Sequence, residues 1–306
     1  MAITLEDLRG DRRRVRTERI VRTLLTAAAG TSVLISALIV FSLARETWTF
    51  VTEVEWATVF SSDGWFPRRG EYNIWTLLVG SAIVTTVAMA LAIPVGLASA
   101  IYLSEYARPR MRKVLKPTLE ILAGIPSVVL GFFAISFISP EVVQRFFGAT
   151  SLFNLMAAGL AVGLLSIPLV ASVSEDALRS VPPALREASY GMGARKITTT
   201  LRVVVPAAVS GLVAASILAV SRAVGETMVV FIAGGAGGGT LLETSPLEPG
   251  LTMTAAMASQ ATGTDAVVGE ALTFQSLFFV GSVLFLITFM LNVVASRFVR
   301  RVRQSY

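Results

Sequence analysis

The stretch Pro182–Ala233, PPALREASYGMGARKITTTLRVVVPAAVSGLVAASILAVSRAVGETMVVFIA, decides the fold. Its first half is polar, and its second half is an apolar run interrupted by Arg222 and Glu226. A charged side chain at hydrocarbon depth costs about 2.5–3.5 kcal/mol on insertion scales, and such residues usually face a bundle interior or a water-filled route. The i,i+4 spacing predicts that Arg222 and Glu226 share one helix face and offset each other's charge. The stretch reads as two joined devices. A polar loop is gripped by a partner, and the span leaving it carries a polar site along a solute route.

The whole chain fits that frame. It has 306 residues, 54% hydrophobic and only 15% charged, against about 25% charged in soluble domains. Apolar runs of this length specify an all-α, multi-pass membrane protein. There is no cysteine, so disulfide and thiol chemistry are excluded, and no histidine. The lack of histidine removes the commonest metal ligand and the usual neutral-pH proton shuttle. No catalytic residue and no metal site are expected.

Taken in order, residues 1–22 carry seven arginines and 23–44 are apolar. The apolar part is longer than a signal-peptide core and has no small-residue cleavage motif, so it reads as an uncleaved first span. Residues 45–72 hold Trp48, Trp56, Trp65, Phe66 and Tyr72 and read as an external loop with interfacial aromatics. Further spans are expected at about 73–103, 118–139, 152–173, 207–233 and 271–296. Residues 1–72 thus form a basic N-terminus, first span and outer loop. Residues 73–296 form the membrane domain, with a polar loop at 174–203, and 297–306 form a basic tail. Between spans five and six, 234–270 is Gly- and Thr-rich with four acidic and no basic residues.

Charge placement tests this layout. Twenty-one of the 26 basic residues fall in segments on one side, four on the other, and Arg222 is left in the membrane. Basic residues concentrate in cytoplasmic loops, so six spans with both termini in the cytoplasm are expected. The net charge of +6 is then a topological signal, and no nucleic-acid partner is needed to explain it.

Within 174–203, Ser180-Val-Pro-Pro offers a hydroxyl cap and prolines suited to a first helical turn. ALREASY reads as a short helix broken by Gly191 and Gly193, and KITTTLRVV as its restart. The bland reading is an ordinary solvated loop. The other is a knob shaped to fill a groove in a second protein.

The spacing resembles the EAA loop of bacterial ABC-importer permeases: Glu-Ala-Ala, three residues, Gly, nine residues, an aliphatic, one residue, Leu-Pro. The matching positions are Glu187, Ala188, Gly193, Val203, Val205 and Pro206, with Ser189 in place of the second Ala and Val205 in place of Leu. IPVGLASAIYLSEYA (93–107), LEILAGIPSVVLGFF (119–133) and SRAVGETMVV (221–230) resemble the phosphate-uptake branch, in particular PstC-type permeases. The resemblance spans 73–296, nearly three quarters of the chain. It implies a type I ABC importer (MetI-like) core in the bacterial inner membrane and surrounding lipid. It implies a second, PstA-type permease, a PstB-type ATPase dimer gripping Glu187, Ala188, Ser189, Gly191, Gly193 and Pro206, and an extracytoplasmic PstS-type phosphate-binding protein. The chain itself has no G-x-x-x-x-G-K-[ST] phosphate cradle. It would bind no cofactor, and the ATPase partner would use ATP and Mg2+.

On a fifth span of 207–233, Arg222 lies about 3 Å from the midplane and Glu226 about 9 Å from it, at ~1.5 Å per residue. A guanidinium offers phosphate a planar, two-pronged donor set that lysine lacks. Glu226 would hold Arg222 in place and keep the empty route from trapping anions, since conduction needs release. The alternative is a buried ion pair that fixes helix packing. The resemblance favours the phosphate-route reading. Ser127, Ser221 and Thr227 could donate to an anion, although span hydroxyls commonly bond a neighbouring carbonyl. Lys116 or a neighbouring span is the expected partner of Glu120.

The expected function is therefore the permease subunit of an ATP-driven phosphate importer. Rivals are a permease for molybdate or sulfate, an ion-coupled secondary transporter, and a non-transporting scaffold. Secondary transporters commonly repeat a broken-helix half, and SRAVGET occurs once.

Overall fold

The computed structural model describes residues 12–60, 63–235, 240–262 and 272–302. The start of the basic N-terminus, most of the Gly-rich run 234–240, the acidic positions Asp265 and Glu270, and the last residues of the tail lie outside the described residues.

Helix α1 (Arg12–Glu53) is far longer than the roughly 20 residues a bilayer needs. The short α2 (Trp56–Phe60) follows, and then strands β1 (Gly64–Phe66) and β2 (Glu71–Tyr72). The turn between the strands closes on Gly70 at φ 75°, a left-handed conformation natural to glycine. The β2 chain runs directly into α3 (Ile74–Ile101), whose Asn73 Oδ1 accepts the Trp75 N–H at 2.9 Å. A wide turn, Tyr102–Tyr106, closes α3 with an i→i+5 bond from Ala107 N–H to the Tyr102 carbonyl. Next come α4 (Pro109–Ala123) and α5 (Ser127–Phe133). A second wide segment, Ala134–Gln144, leads into the single turn α6 (Arg145–Phe147).

Helix α7 (Leu155–Arg179) starts at Asn154, whose Oδ1 accepts the Ala157 N–H at 2.7 Å. Helices α8 (Pro183–Gly191) and α9 (Lys196–Thr199) form the polar loop. A third wide turn, Thr200–Val204, leads to α10 (Val205–Ala207), α11 (Val209–Val224) and α12 (Met228–Gly234). Strand β3 (Thr240–Leu241), helix α13 (Met253–Ala261) and helix α14 (Thr273–Val302) complete the order.

The centre of the molecule is the pair α3–α7. Glycine lets the two backbones approach, the usual device where lipid supplies no hydrophobic drive between helices. A methyl on Gly96 would stand 2.6 Å from Val170 Cβ, and one on Gly159 2.7 Å from Val87 Cβ. The main core gathers Leu77, Val84, Ala88, Leu155, Ala158 and Val162 around this pair. A second cluster at the polar-loop end joins Ala100, Leu178, Val181, Val204, Ala208 and Leu212. Helix α1 is peripheral. It meets α14 where Thr47 Oγ1 and Ser282 Oγ lie 2.7 Å apart and Phe50 stacks on Phe279 at 4.7 Å.

Among the described residues, five helices are long and apolar enough to cross a membrane, and a sixth crossing is a pair, Lys196–Ala207 and Val209–Val224, bent by 70°. The six-span count stands, but several boundaries move. The third span is Ser127–Phe147, not 118–139. The Gly124–Pro126 break cuts α4 off as a separate amphipathic helix, and Pro140 is carried inside the wide segment. The fourth span runs on to Arg179. The fifth is not one helix over 207–233, because it bends at Ala208 and stops at Gly225.

The segments 54–60, 63–73 and 240–262 are also structured. β3 joins β1 and β2 in an antiparallel sheet of order β2-β1-β3, pairing Trp65 with both Tyr72 and Thr240. Tyr72 is buried against Phe50, and Trp65 is buried against Tyr72, so neither is an interfacial belt residue, whereas Trp48 and Trp56 are exposed. Helix α13 turns back into the core. Met253, Thr254, Ala255 and Ala256 are buried there, and the Met253 N–H donates to Ser81 Oγ at 3.0 Å.

Candidate translocation site and coupling loop

The interruption at Gly225 sets the geometry of the intramembrane charges. α11 ends at Val224, and the Gly225 N–H closes its last turn on the Ser221 carbonyl. Arg222 sits in that last turn, exposed, whereas Glu226 lies beyond the helix. Helical i,i+4 spacing no longer applies, and the two charges do not share a helix face. Among the described residues no carboxylate pairs with Arg222. Glu226 Oε1 instead accepts the Val229 N–H at 3.4 Å, and the Glu226 carbonyl accepts Thr254 Oγ1 at 2.7 Å.

The hydroxyls divide. Thr227 Oγ1 donates to the Gly225 carbonyl at 3.3 Å, the neighbouring-carbonyl habit. Ser221 Oγ is buried with no hydrogen-bond partner among the described residues. Ser127 opens α5, which packs on α12 where Ile232 lies over Gly131. The structure thus brings Arg222, Ser221, Glu226 and Thr227 together at one helix break, with Ser127 on the adjoining α5.

Arg222 opens onto a cleft of about 200 Å3 bounded also by Lys116, Glu120, Pro168, Ser172 and Glu175. The cleft lies between α4, α7 and α11 and ends at a polar cluster that the sequence reading did not single out. Glu175 is only 1% exposed and accepts from Arg112 and, at 3.0 Å, from Lys116 Nζ, with Arg179 Nη1 3.8 Å away. Lys116 also reaches Asp176 at 3.4 Å. Lys116 therefore pairs with α7, and Glu120 has no ion-pair partner among the described residues. Burial, then the nearby Arg179 charge, pull the Arg112 guanidinium below its ordinary value, and Asp176 opposes them. It stays charged at neutral pH. The available signal was spacing: Arg112 and Lys116 are i,i+4 on α4, as are Glu175 and Arg179 on α7.

The loop forms the expected knob. α8 ends at Gly191, Gly193 turns the chain at φ 78°, and α9 restarts at Lys196. Ser189 Oγ and Thr199 Oγ1, 2.8 Å apart, tie the two helices together. Glu187, Ala188, Gly191, Gly193 and Pro206 are exposed, and Met192 at the tip is 88% exposed, beside exposed Tyr190 and Ile197. Ser180 does not cap α8. Its Oγ donates to the Ala177 carbonyl at 2.7 Å and so finishes α7, while Pro182 and Pro183 start α8 unaided.

Comparisons with known proteins agree with this architecture. A permease protein YqgH of Bacillus subtilis, described as a probable ABC transporter permease, is 35% identical over 67% of this chain and 65% of its own length. The phosphate transport system permease protein PstC of Mesorhizobium japonicum is 29% identical over 79% of this chain and 78% of its own. PstA 1 of Mycobacterium tuberculosis is 38% identical over 60% and 58%. Among solved structures, a chain of a bacterial alginate ABC transporter superposes with TM-score 0.62 at 15% identity, covering 94% of this chain and 98% of that one. A chain of the MetNI methionine ABC transporter gives 0.56 at 20% identity, covering 76% and 94%. These likenesses show a type I importer permease fold. Residues 92–304 match the profile of one transport family. This multi-pass chain, a transport subunit and not an enzyme, belongs to the binding-protein-dependent transport system inner membrane components.

Proposed function

We propose that the chain is the permease subunit of an ATP-driven phosphate importer in the bacterial inner membrane, with both termini in the cytoplasm. A homologous permease completes the route, two ATPase subunits dock beneath the loop pair, and an extracytoplasmic binding protein delivers phosphate to the opposite face. The curated relatives of phosphate systems support the substrate, although the chain spans just under two thirds of the Bacillus relative and 58% of the mycobacterial one.

The observation that carries the reading is Arg222. It is a guanidinium with no described counter-charge, at the end of an interrupted span, facing a cleft. Such a group binds a tetrahedral oxyanion by its fork and releases it when the helices move. Ser221 and Thr227, at the same helix break, and Ser127, at the start of the neighbouring α5, are the further hydroxyls assigned to the route. Glu226, free of Arg222, steadies the start of α12 and adds a negative charge that discourages trapping of the anion. The chain binds no cofactor, and ATP with Mg2+ acts in the partner ATPase. The exposed knob around Glu187, Ala188, Ser189, Gly191 and Gly193, with Pro206 at its exit, is the docking element.

The test is phosphate uptake into proteoliposomes holding the full complex. Uptake should stop when ATP is withdrawn with the proton gradient held, and excess sulfate or molybdate should not compete. Uptake that follows the gradient without ATP would sink the reading, and strong competition would move the substrate to another oxyanion.

A further inference from the structure

The coupling loop is covalently joined to only two spans, α7 through Val181 and α11 through the wide turn and α10. Its third attachment is non-covalent and lands on the end of α3. Arg186, on α8, gives Nη2 to Glu105 Oε1 at 2.8 Å and Nε to Glu105 Oε2 at 3.4 Å. The same guanidinium gives Nη1 to the Val181 carbonyl at 2.7 Å and Nη2 to the Leu178 carbonyl at 2.9 Å. Glu105 is 5% exposed and Arg186 19%. Ser104 Oγ adds a bond to Glu105 Oε1 at 3.0 Å, and Lys196 Nζ of α9 stands 4.9 Å over the ring of Tyr106.

We propose that Arg186 and Glu105 are positioning residues that carry the coupling loop's movement into α3. One planar fork binds three elements at once: the wide turn that ends α3, the last turn of α7, and α8. A lysine's single ammonium could not hold that geometry. The bridge ends on α3, whose Gly96 approaches Val170 of α7 without room for a methyl, and close packing of this kind transmits displacement. A pull on α8 therefore reaches α3 and α7 through this bridge and α11, with Arg222 at its far end, through the bend at Ala208, and α11 is itself packed on α7, where a methyl on Gly211 would stand 2.5 Å from Ala177 Cβ. With α4, helices α7 and α11 flank the cleft.

This inference rests on the docking reading of the loop, and its test separates the two. The assembled transporter, with both permeases, ATPase dimer and binding protein, is reconstituted, and phosphate imported per ATP hydrolysed is measured. Glu105→Gln removes the charge at constant size. The double variant Glu105→Gln with Arg186→Gln leaves no buried charge unpaired. In both, ATPase subunits are expected at wild-type stoichiometry, hydrolysis to continue, and phosphate per ATP to fall about tenfold, within the usual span of coupling between sites. Wild-type phosphate per ATP in either assembled variant overturns the proposal. So does loss of the ATPase subunits from the double variant, because the bridge would then only shape the docking surface. Since the chain has no cysteine, Glu105→Cys with Arg186→Cys can be joined by a short bis-maleimide in a complex otherwise free of reactive thiols. Joining should restore coupling, and failure to restore it overturns a mechanical role. A Glu187→Lys complex that keeps its ATPase and full uptake would instead defeat the docking reading and leave the bridge without a motor to follow.

Discussion

Glu226 and Arg222 are separated by a helix end: the carboxylate accepts the Val229 N–H at the start of α12, and Arg222 lies in the last turn of α11 on the other side of Gly225. Four residues apart in sequence, they serve different helices. That separation makes the role of Arg222 cleanly testable, since removing it breaks no ion pair among the described residues.

Arg222→Gln is expected to abolish phosphate uptake while the complex still assembles. Its thermal stability should stay within about 0.5 kcal/mol of the parent, as for other exposed substitutions. The charge swap Arg222→Glu with Glu226→Arg should not rescue uptake, because the two groups are not partners. Near-normal uptake by Arg222→Gln, measured with labelled phosphate in proteoliposomes, would return Arg222 to a structural role.

Glu175→Gln should loosen α4 from α7. It leaves Arg112, Lys116 and Arg179 gathered around a neutral amide. Breaking a fully buried pair costs about 3–5 kcal/mol. Here the partly exposed cations are screened, so about 2 kcal/mol is expected. Proteolytic cutting at Arg108–Lys113 should rise with the fall in melting temperature. An unchanged cutting rate would show that α4 is held by its apolar contacts alone.

The α3–α7 seam should tolerate no added methyl. Gly96→Ala and Gly159→Ala each force a side chain into the opposing valine and should destabilise by about 1–3 kcal/mol. Gly30→Ala, in open space on α1, should be neutral or stabilise by up to about 1 kcal/mol. Melting temperatures in detergent decide this, and equal effects at the three glycines would refute a special seam.

Glu187→Lys alters an exposed residue with no described ion pair, so the isolated permease should melt as before. In the complex it should shed the ATPase subunits or let them hydrolyse ATP without transport. A complex with full stoichiometry and full uptake would free the loop of its docking role.

Much of this architecture is legible in the chain because lipid imposes simple rules. Apolar length gave the crossings, and glycine and proline positions gave the knob at Gly191–Gly193. The broken fifth span was not legible. Ala207–Ala233 is apolar apart from its charged pair and four scattered hydroxyl residues, and nothing in a hydropathy pattern marks Gly225 as an end and not a packing glycine. The buried return of α13 was equally hidden, because its Met, Thr and Ala residues suit either a loop or a core. The cluster on Glu175 and the bridge from Arg186 to Glu105 join residues 63 and 81 positions apart; i,i+4 spacing marks the charged faces of α4 and α7, but a single sequence does not say which distant faces meet.

The three wide turns, Tyr102–Tyr106, Ala134–Gln144 and Thr200–Val204, have a consequence for comparing this chain with its kin. Each spends an extra residue on its circuit. A kin sequence whose helix lacks the widening is matched only by skipping a position there. Threaded without that gap, the side chains that follow on the same helix axis are rotated by about 100°, and groups that line a passage would be read as facing lipid. Deleting one residue within such a turn should accordingly be better tolerated than deleting one a turn away.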